Sequence, residues 1–115
     1  ANIHHRAVNG FTALHEASRM GASSSIEILL QAGADPLSRT DDGNVPLMFA
    51  IQNGHVQCVD KLLQLRPQHK REQVIQQFAP NSRGQTPMLL AVQTQNVDLV
   101  IRLLDSGASA NELIP

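Results

Sequence analysis

The chain has 115 residues, 42% of them hydrophobic, with no Trp, no Tyr and three Phe. One domain of ordinary size is expected, and a core limited to Leu, Ile, Val, Met and Ala favours close-packed helices over an aromatic-rich β-sandwich. A formal net charge of −1 gives no overall pull towards nucleic acid or acidic lipid, and one cysteine excludes an internal disulfide. No apolar run approaches the roughly 20 residues of a bilayer span, and the opening ANIHHRAVNG lacks the regions of a secretory signal. These features predict a chain of the intracellular space, cytoplasmic or nuclear, without membrane insertion.

In chain order, the first predicted element follows the polar turn at Gly10. GFTALHEASRM reads as a short helix from about Ala13, ending at Gly21. A second helix, SSSIEILLQ, runs to Gly33, where a glycine can adopt the left-handed conformation that closes a helix. The pattern then recurs. Gly43 opens a second turn, Val45-Pro46 starts a helix with proline in its first turn, Gly54 breaks it, and VQCVDKLLQ forms the next helix. Gly84, Thr86-Pro87 and Gln95-Asn96 occupy the same places in a third unit, whose second helix carries Val97, Val100, Ile101, Leu103 and Leu104 at helical spacing and ends near Gly107. Leu14, Leu47 and Met88 fall in register, as do Ala17, Ala50 and Ala91 and the pairs Leu29-Leu30, Leu62-Leu63 and Leu103-Leu104. The period is 33 residues from Gly10 to Gly43 and 41 from Gly43 to Gly84. Three Ser residues at 23–25 thin the apolar content of the first unit's second helix, so that unit is expected to be the weaker end.

The extra residues fall between Pro67 and Pro80. QHKREQVIQQF has good helix formers, with Val74, Ile75 and Phe78 on one side, and predicts a short amphipathic helix over 67–80. It reads either as an insertion packed on the stack or as a contact surface, with Arg66, His69, Lys70 and Arg71 forming a basic patch for an acidic partner. Without interleaved aromatics that patch does not point to nucleic acid.

TALHEA, VPLMFA and TPMLLA, with LLQAGADP and LLDSGASAN after them, resemble the ankyrin repeat family, whose units are 33 residues long and carry T-P-L-H-x-A. The resemblance covers nearly the whole chain. It implies an all-α ankyrin-repeat solenoid of stacked helix-turn-helix units joined by finger loops, with repeats at about 8–38, 41–66 and 82–111. The chain begins within a repeat's loop, which is the expectation for a segment of a longer protein.

His15 and Glu16 could suggest catalysis, but Met48 and Leu89 stand at the position of His15, and Phe49 and Leu90 at that of Glu16. A position that accepts Met and Leu is structural. In the family this His ties its turn to neighbouring backbone. Cys58 reads as a small buried residue, and Ile3-His4-His5 lacks the further ligands of a metal site. No enzyme activity, metal or cofactor is expected within this chain.

The family resemblance implies protein–protein recognition through the concave surface of inner helices and loop tips. The matching positions are Arg6, Val8, Asn9, Phe11, Arg19 and Met20 in the first unit. The second supplies Arg39, Asp41, Asp42, Asn44, Gln52 and Asn53, and the third Ser82, Arg83, Gln85, Gln93 and Thr94. An apolar anchor of the partner is expected at Phe11 and Met20, carboxylates at Arg19 and Arg39, and a basic residue at Asp41 and Asp42. A monomer is favoured. Two other roles fit the resemblance: the targeting arm of a larger enzyme, and a substrate for an iron- and 2-oxoglutarate-dependent hydroxylase acting on Asn111.

Overall fold

The computed structural model describes residues 8–64 and 79–105. Within them, six α-helices follow a 3-10 turn at Val8–Gly10: α1 (Ala13–Met20), α2 (Ser23–Gln31), α3 (Pro46–Gln52), α4 (Val56–Leu63), α5 (Pro87–Gln93) and α6 (Val97–Asp105). The described residues contain no strand. Each pair, α1/α2, α3/α4 and α5/α6, is an antiparallel hairpin of the kind the periodicity predicts. The pairs stack in order, so that α1, α3 and α5 make one layer and α2, α4 and α6 the other. The all-α solenoid expected from the sequence is therefore the observed architecture.

Local chemistry sets the helix starts. Thr12 and Thr86 precede α1 and α5, and each hydroxyl accepts a backbone N–H of the first turn, from His15 (3.4 Å) and Leu89 (3.1 Å). Pro46 and Pro87 occupy the first turn of α3 and α5, where their missing N–H costs nothing. Between the helices of each hairpin the chain turns through a left-handed residue: Gly21 (φ 80°), Gly54 (φ 71°) and Gln95 (φ 60°). Gly21 has a second constraint, because a Cβ there would lie 2.8 Å from the His55 ring, whose Nε2 donates to the Arg19 carbonyl (3.0 Å).

Gln95 carries a side chain where the other two units use glycine, and a residue with a Cβ pays roughly 1–2 kcal/mol for the left-handed region. Part of that is offset by the larger unfolded-state entropy of glycine. Gln95→Gly is therefore expected to stabilise the chain by about 0.5–1 kcal/mol. Thermal and urea denaturation would show it as a higher midpoint, and an unchanged or lower midpoint would mean that the Gln95 side chain contributes a compensating contact.

The core follows the register of the repeat. Leu14, Leu47 and Met88 are buried in the layer of first helices, and Ala17, Ala50 and Ala91 keep the side chains small where helices approach closely. The second helices show how one unit meets the next. All of Cys58, Val59, Leu62 and Leu63 are buried in α4, which has a neighbour on both sides. In α6 only Leu99 and Leu103, the equivalents of Cys58 and Leu62, are buried. In α2 it is Ile26 and Leu30, the equivalents of Val59 and Leu63. The first pair thus faces the preceding unit and the second the following one. In this layer α2 and α6 each bury two side chains and α4 buries four.

Two ion pairs span the unit boundaries along this layer. Lys61 Nζ lies 3.2 Å from Glu27 Oε2, and Arg102 Nη1 pairs with the Asp60 carboxylate. All four side chains are partly exposed, so the pairs add little to stability.

Candidate finger-tip interface

The loops ahead of the second and third hairpins fold alike. Thr40 N–H donates to the Asn44 carbonyl (3.0 Å) and Gly43 N–H to Thr40 (2.8 Å); 41 residues on, Asn81 N–H donates to Gln85 (2.9 Å) and Gly84 N–H to Asn81 (3.0 Å). Neighbouring tips are joined by backbone. Asp41 N–H donates to the Asn9 carbonyl (2.9 Å) and Ser82 N–H to the Asp42 carbonyl (3.0 Å), so three tips from three units form one row. The Ser82 hydroxyl reinforces the second link, at 2.7 Å from the same carbonyl. Close passage of these loops requires Gly43, whose φ is +81° and whose added Cβ would meet Ser82 N at 3.1 Å.

Side chains beneath the tips hold them in place. His15 is fully buried. Its Nε2 faces two carbonyl oxygens, Ser38 (2.8 Å) and Asn44 (3.2 Å), so Nε2 carries the proton and Nδ1 accepts from Thr12 N–H (3.0 Å). One imidazole thus caps its own helix and ties it to the loop of the next unit. The ring lies 5.8 Å, centroid to centroid, from both Phe11 and Phe49, and these two phenyls lie 5.0 Å apart. These contacts give His15 the structural role expected of it, and the Thr12 hydroxyl, 2.9 Å from Nδ1, is buried in the same cap.

Of the sequence-predicted surface positions, Asn9, Arg19, Met20, Asp41, Asp42, Gln52, Asn53, Ser82, Arg83, Gln93 and Thr94 are exposed at the tips or at the C-terminal ends of α1, α3 and α5. Met20, at 70% exposure, is the apolar one among them. Phe11 is half-buried against Phe49 of the following unit. Arg19 pairs with Glu16 at 2.7 Å. Arg39 donates to the Gly43 carbonyl and, at 3.4 Å, to that of Pro80, which clamps the second tip to the start of the third. Asn44 and Gln85 turn towards Asn81, whose Nδ2 donates to Asn44 Oδ1 (2.7 Å) and Gln85 Oε1 (3.1 Å). Arg6, the basic positions Arg66, His69, Lys70 and Arg71, the helix expected over 67–80 up to residue 78, and Asn111 lie outside the described residues, as does the side chain of Val8.

Asn81 is the organising residue that the sequence reading passed over. Its Oδ1 also accepts the N–H groups of Arg83 (2.9 Å) and Gln85 (3.0 Å), so one buried carboxamide shapes the third tip. The available signal was an Asn opening a turn, two residues before the accepted N–H. Burial pushes the Cys58 thiol above its ordinary pKa, which keeps it protonated and unreactive. Among the described residues no group of His, Cys, Asp and Glu is arranged to hold a metal ion, and no helix is long and apolar enough to cross a membrane.

A family model described as Ankyrin repeats (3 copies) matches residues 37–113, and one described as Ankyrin repeat matches residues 9–41. The chain belongs to the ankyrin repeat family. Ankyrin repeats are non-catalytic domains that mediate protein–protein interaction. The chain is 30% identical over 100 residues to human transient receptor potential cation channel subfamily A member 1, covering 87% of this chain and 9% of that protein. It is 30% identical over 136 residues to human Rabankyrin-5, at 97% and 12% coverage. To the Arabidopsis thaliana E3 ubiquitin-protein ligase KEG it is 28% identical over 129 residues, at 88% and 8%. This ankyrin chain thus spans about a tenth of the length of the relatives it matches.

Proposed function

We propose that the chain binds a partner protein or peptide across the row of finger tips and the exposed C-terminal ends of α1, α3 and α5. The observation that carries this reading is the pair of repeated backbone links, Asp41 to Asn9 and Ser82 to Asp42, which holds three tips at fixed spacing. A partner meeting this row pays little ordering cost on the ankyrin side. Met20 supplies an exposed apolar contact, and Asp41 and Asp42 present two carboxylates that make no ion pair among the described residues. They suit a segment with one apolar side chain and one Lys or Arg. Phe11 and Arg39 support this surface from beneath, through the Phe49 contact and the clamp on Gly43.

Capture from cell extract followed by mass spectrometry, then titration of the captured protein, tests the surface. Met20→Ala and Asp41→Ala/Asp42→Ala are each expected to weaken binding at least about tenfold. Their melting temperatures should match the parent, since all three side chains point to solvent. If both variants bind as the parent does, the surface assignment falls.

The larger relatives favour one elaboration. Because the chain matches a short part of proteins that include an E3 ubiquitin-protein ligase, the same surface would serve as the recruiting arm of a longer protein, placing its partner beside another domain. Deleting this segment from the full-length protein should then abolish partner recruitment and leave the activity of other domains intact.

A further inference from the structure

The chain carries four sulfur atoms, in Met20, Met48, Cys58 and Met88, and the fold divides them sharply. Met48 and Met88 lie in the core at 0% and 1% exposure, and Cys58 is buried beside them with a thiol that burial keeps protonated. Met20 is 70% exposed. The repeat register shows that this exposure belongs to the position and not to the end of the stack. Its equivalents are Asn53 and Thr94, and Asn53 is exposed in a unit that has a neighbour on both sides. Two polar residues therefore stand where the first unit presents a thioether. The backbone under Met20 is fixed: Gly21 and Ala22 N–H groups donate to the Ala17 carbonyl and close α1, and His55 Nε2 donates to the Arg19 carbonyl (3.0 Å). Its sulfur is thus held outward on a tied helix end, open to a small oxidant, while the other three are shielded.

We infer that Met20 is a reversible oxidation site that switches the finger-tip surface off, a peroxide converting its thioether to the sulfoxide and thiol-dependent sulfoxide reductases restoring it. The inference rests on the surface proposed above, in which Met20 is the apolar contact. In the forward step a sulfur lone pair attacks one oxygen of hydrogen peroxide and the O–O bond breaks. Sulfur is oxidised by two electrons, and the departing hydroxide takes the proton of the transferred oxygen and leaves as water. The return step takes two electrons from two thiols, which join as a disulfide, and the oxygen leaves as water. Attack on an unshielded sulfur gives both sulfoxide epimers, so both reductase classes are needed for full recovery. A flexible apolar group becomes a polar one, and a partner's apolar side chain would then bury an S=O group that has no hydrogen-bond donor. The core keeps its packing, because none of its sulfurs reacts.

Peroxide treatment of the folded chain, followed by removal of the peroxide and peptide mass spectrometry, tests the site. Met20 should gain about 16 Da while Met48, Met88 and Cys58 stay unmodified, and in urea Met48 and Met88 should gain the same mass. Circular dichroism and melting temperature of the oxidised chain should match the parent. Its affinity for the protein captured by the parent should fall at least about tenfold and return after treatment with both reductases. Met20→Leu should bind as the parent does, before and after peroxide. Oxidation of Met48 or Met88 ahead of Met20 in the folded chain overturns the inference. If Met20→Ala weakens binding and the sulfoxide does not, the inference falls and the surface stands. If neither Met20→Ala nor Asp41→Ala/Asp42→Ala weakens binding, or the parent captures nothing, the surface falls and the inference with it.

Discussion

Leu47→Ala is expected to cost about 3–5 kcal/mol, because Leu47 is 1% exposed at the centre of the first-helix layer, where α3 packs on α1, α4 and α5. Removing the side chain forfeits its transfer free energy and leaves a cavity among helices that cannot all move inward at once. Small helical stacks have total stabilities of roughly 5–15 kcal/mol, so the loss is a large share of the whole. Position adds to volume here. Each unit buries its apolar face only against its neighbours, so damage in the middle unit uncouples both outer ones. Urea denaturation should show a much lower midpoint. Amide exchange should lose protection in α1, α2, α5 and α6 together. A cost below about 1 kcal/mol would mean that the neighbouring helices close the cavity, against the packing described.

His15→Ala is expected to cost about 2–4 kcal/mol by a different route. The imidazole leaves Ser38 and Asn44 carbonyls without its N–H, deprives the Thr12 N–H of its acceptor, and opens space beneath Phe11 and Phe49. Burying polar groups without partners costs more than the bond itself contributes. The damage is confined to the junction between the first hairpin and the second finger. Exchange should therefore accelerate in α1 and α2 while α5 and α6 keep their protection, the reverse of the global pattern for Leu47→Ala. His15→Gln, which can donate to one carbonyl, should recover part of the loss. Equal losses for Ala and Gln would mean that ring packing, not hydrogen bonding, carries the contribution.

Much of this was legible before any coordinates. Glycines in register, Thr or Val ahead of Pro, the small Ala positions and the paired leucines each report local geometry, and a helical hairpin is a local object. His15 was readable as structural because its equivalents, Met48 and Leu89, exclude a shared chemical role. Its two carbonyl partners were not readable, since Ser38 and Asn44 lie 23 and 29 residues away and become neighbours only when the second finger folds back. The candidate surface was legible as positions but not as availability. Phe11, Arg39 and Asn44 occupy variable places in the pattern, yet they are drawn into contacts that cross from one unit to the next, while Gln85 is held within its own finger by Asn81.

The repeating unit was written in the chain: where each helix starts and stops, which of its faces is apolar, and that the units recur. These features are local, because capping, turn chemistry and helical periodicity act within a few residues. How the units meet came from the folded chain. The backbone links that align three finger tips, the Asn81 carboxamide on Asn44, and the acid–base pairs Glu27–Lys61 and Asp60–Arg102 join residues roughly one repeat apart. Such contacts depend on the rise and rotation from unit to unit, which arise from side-chain packing between the layers and leave no local mark in the chain.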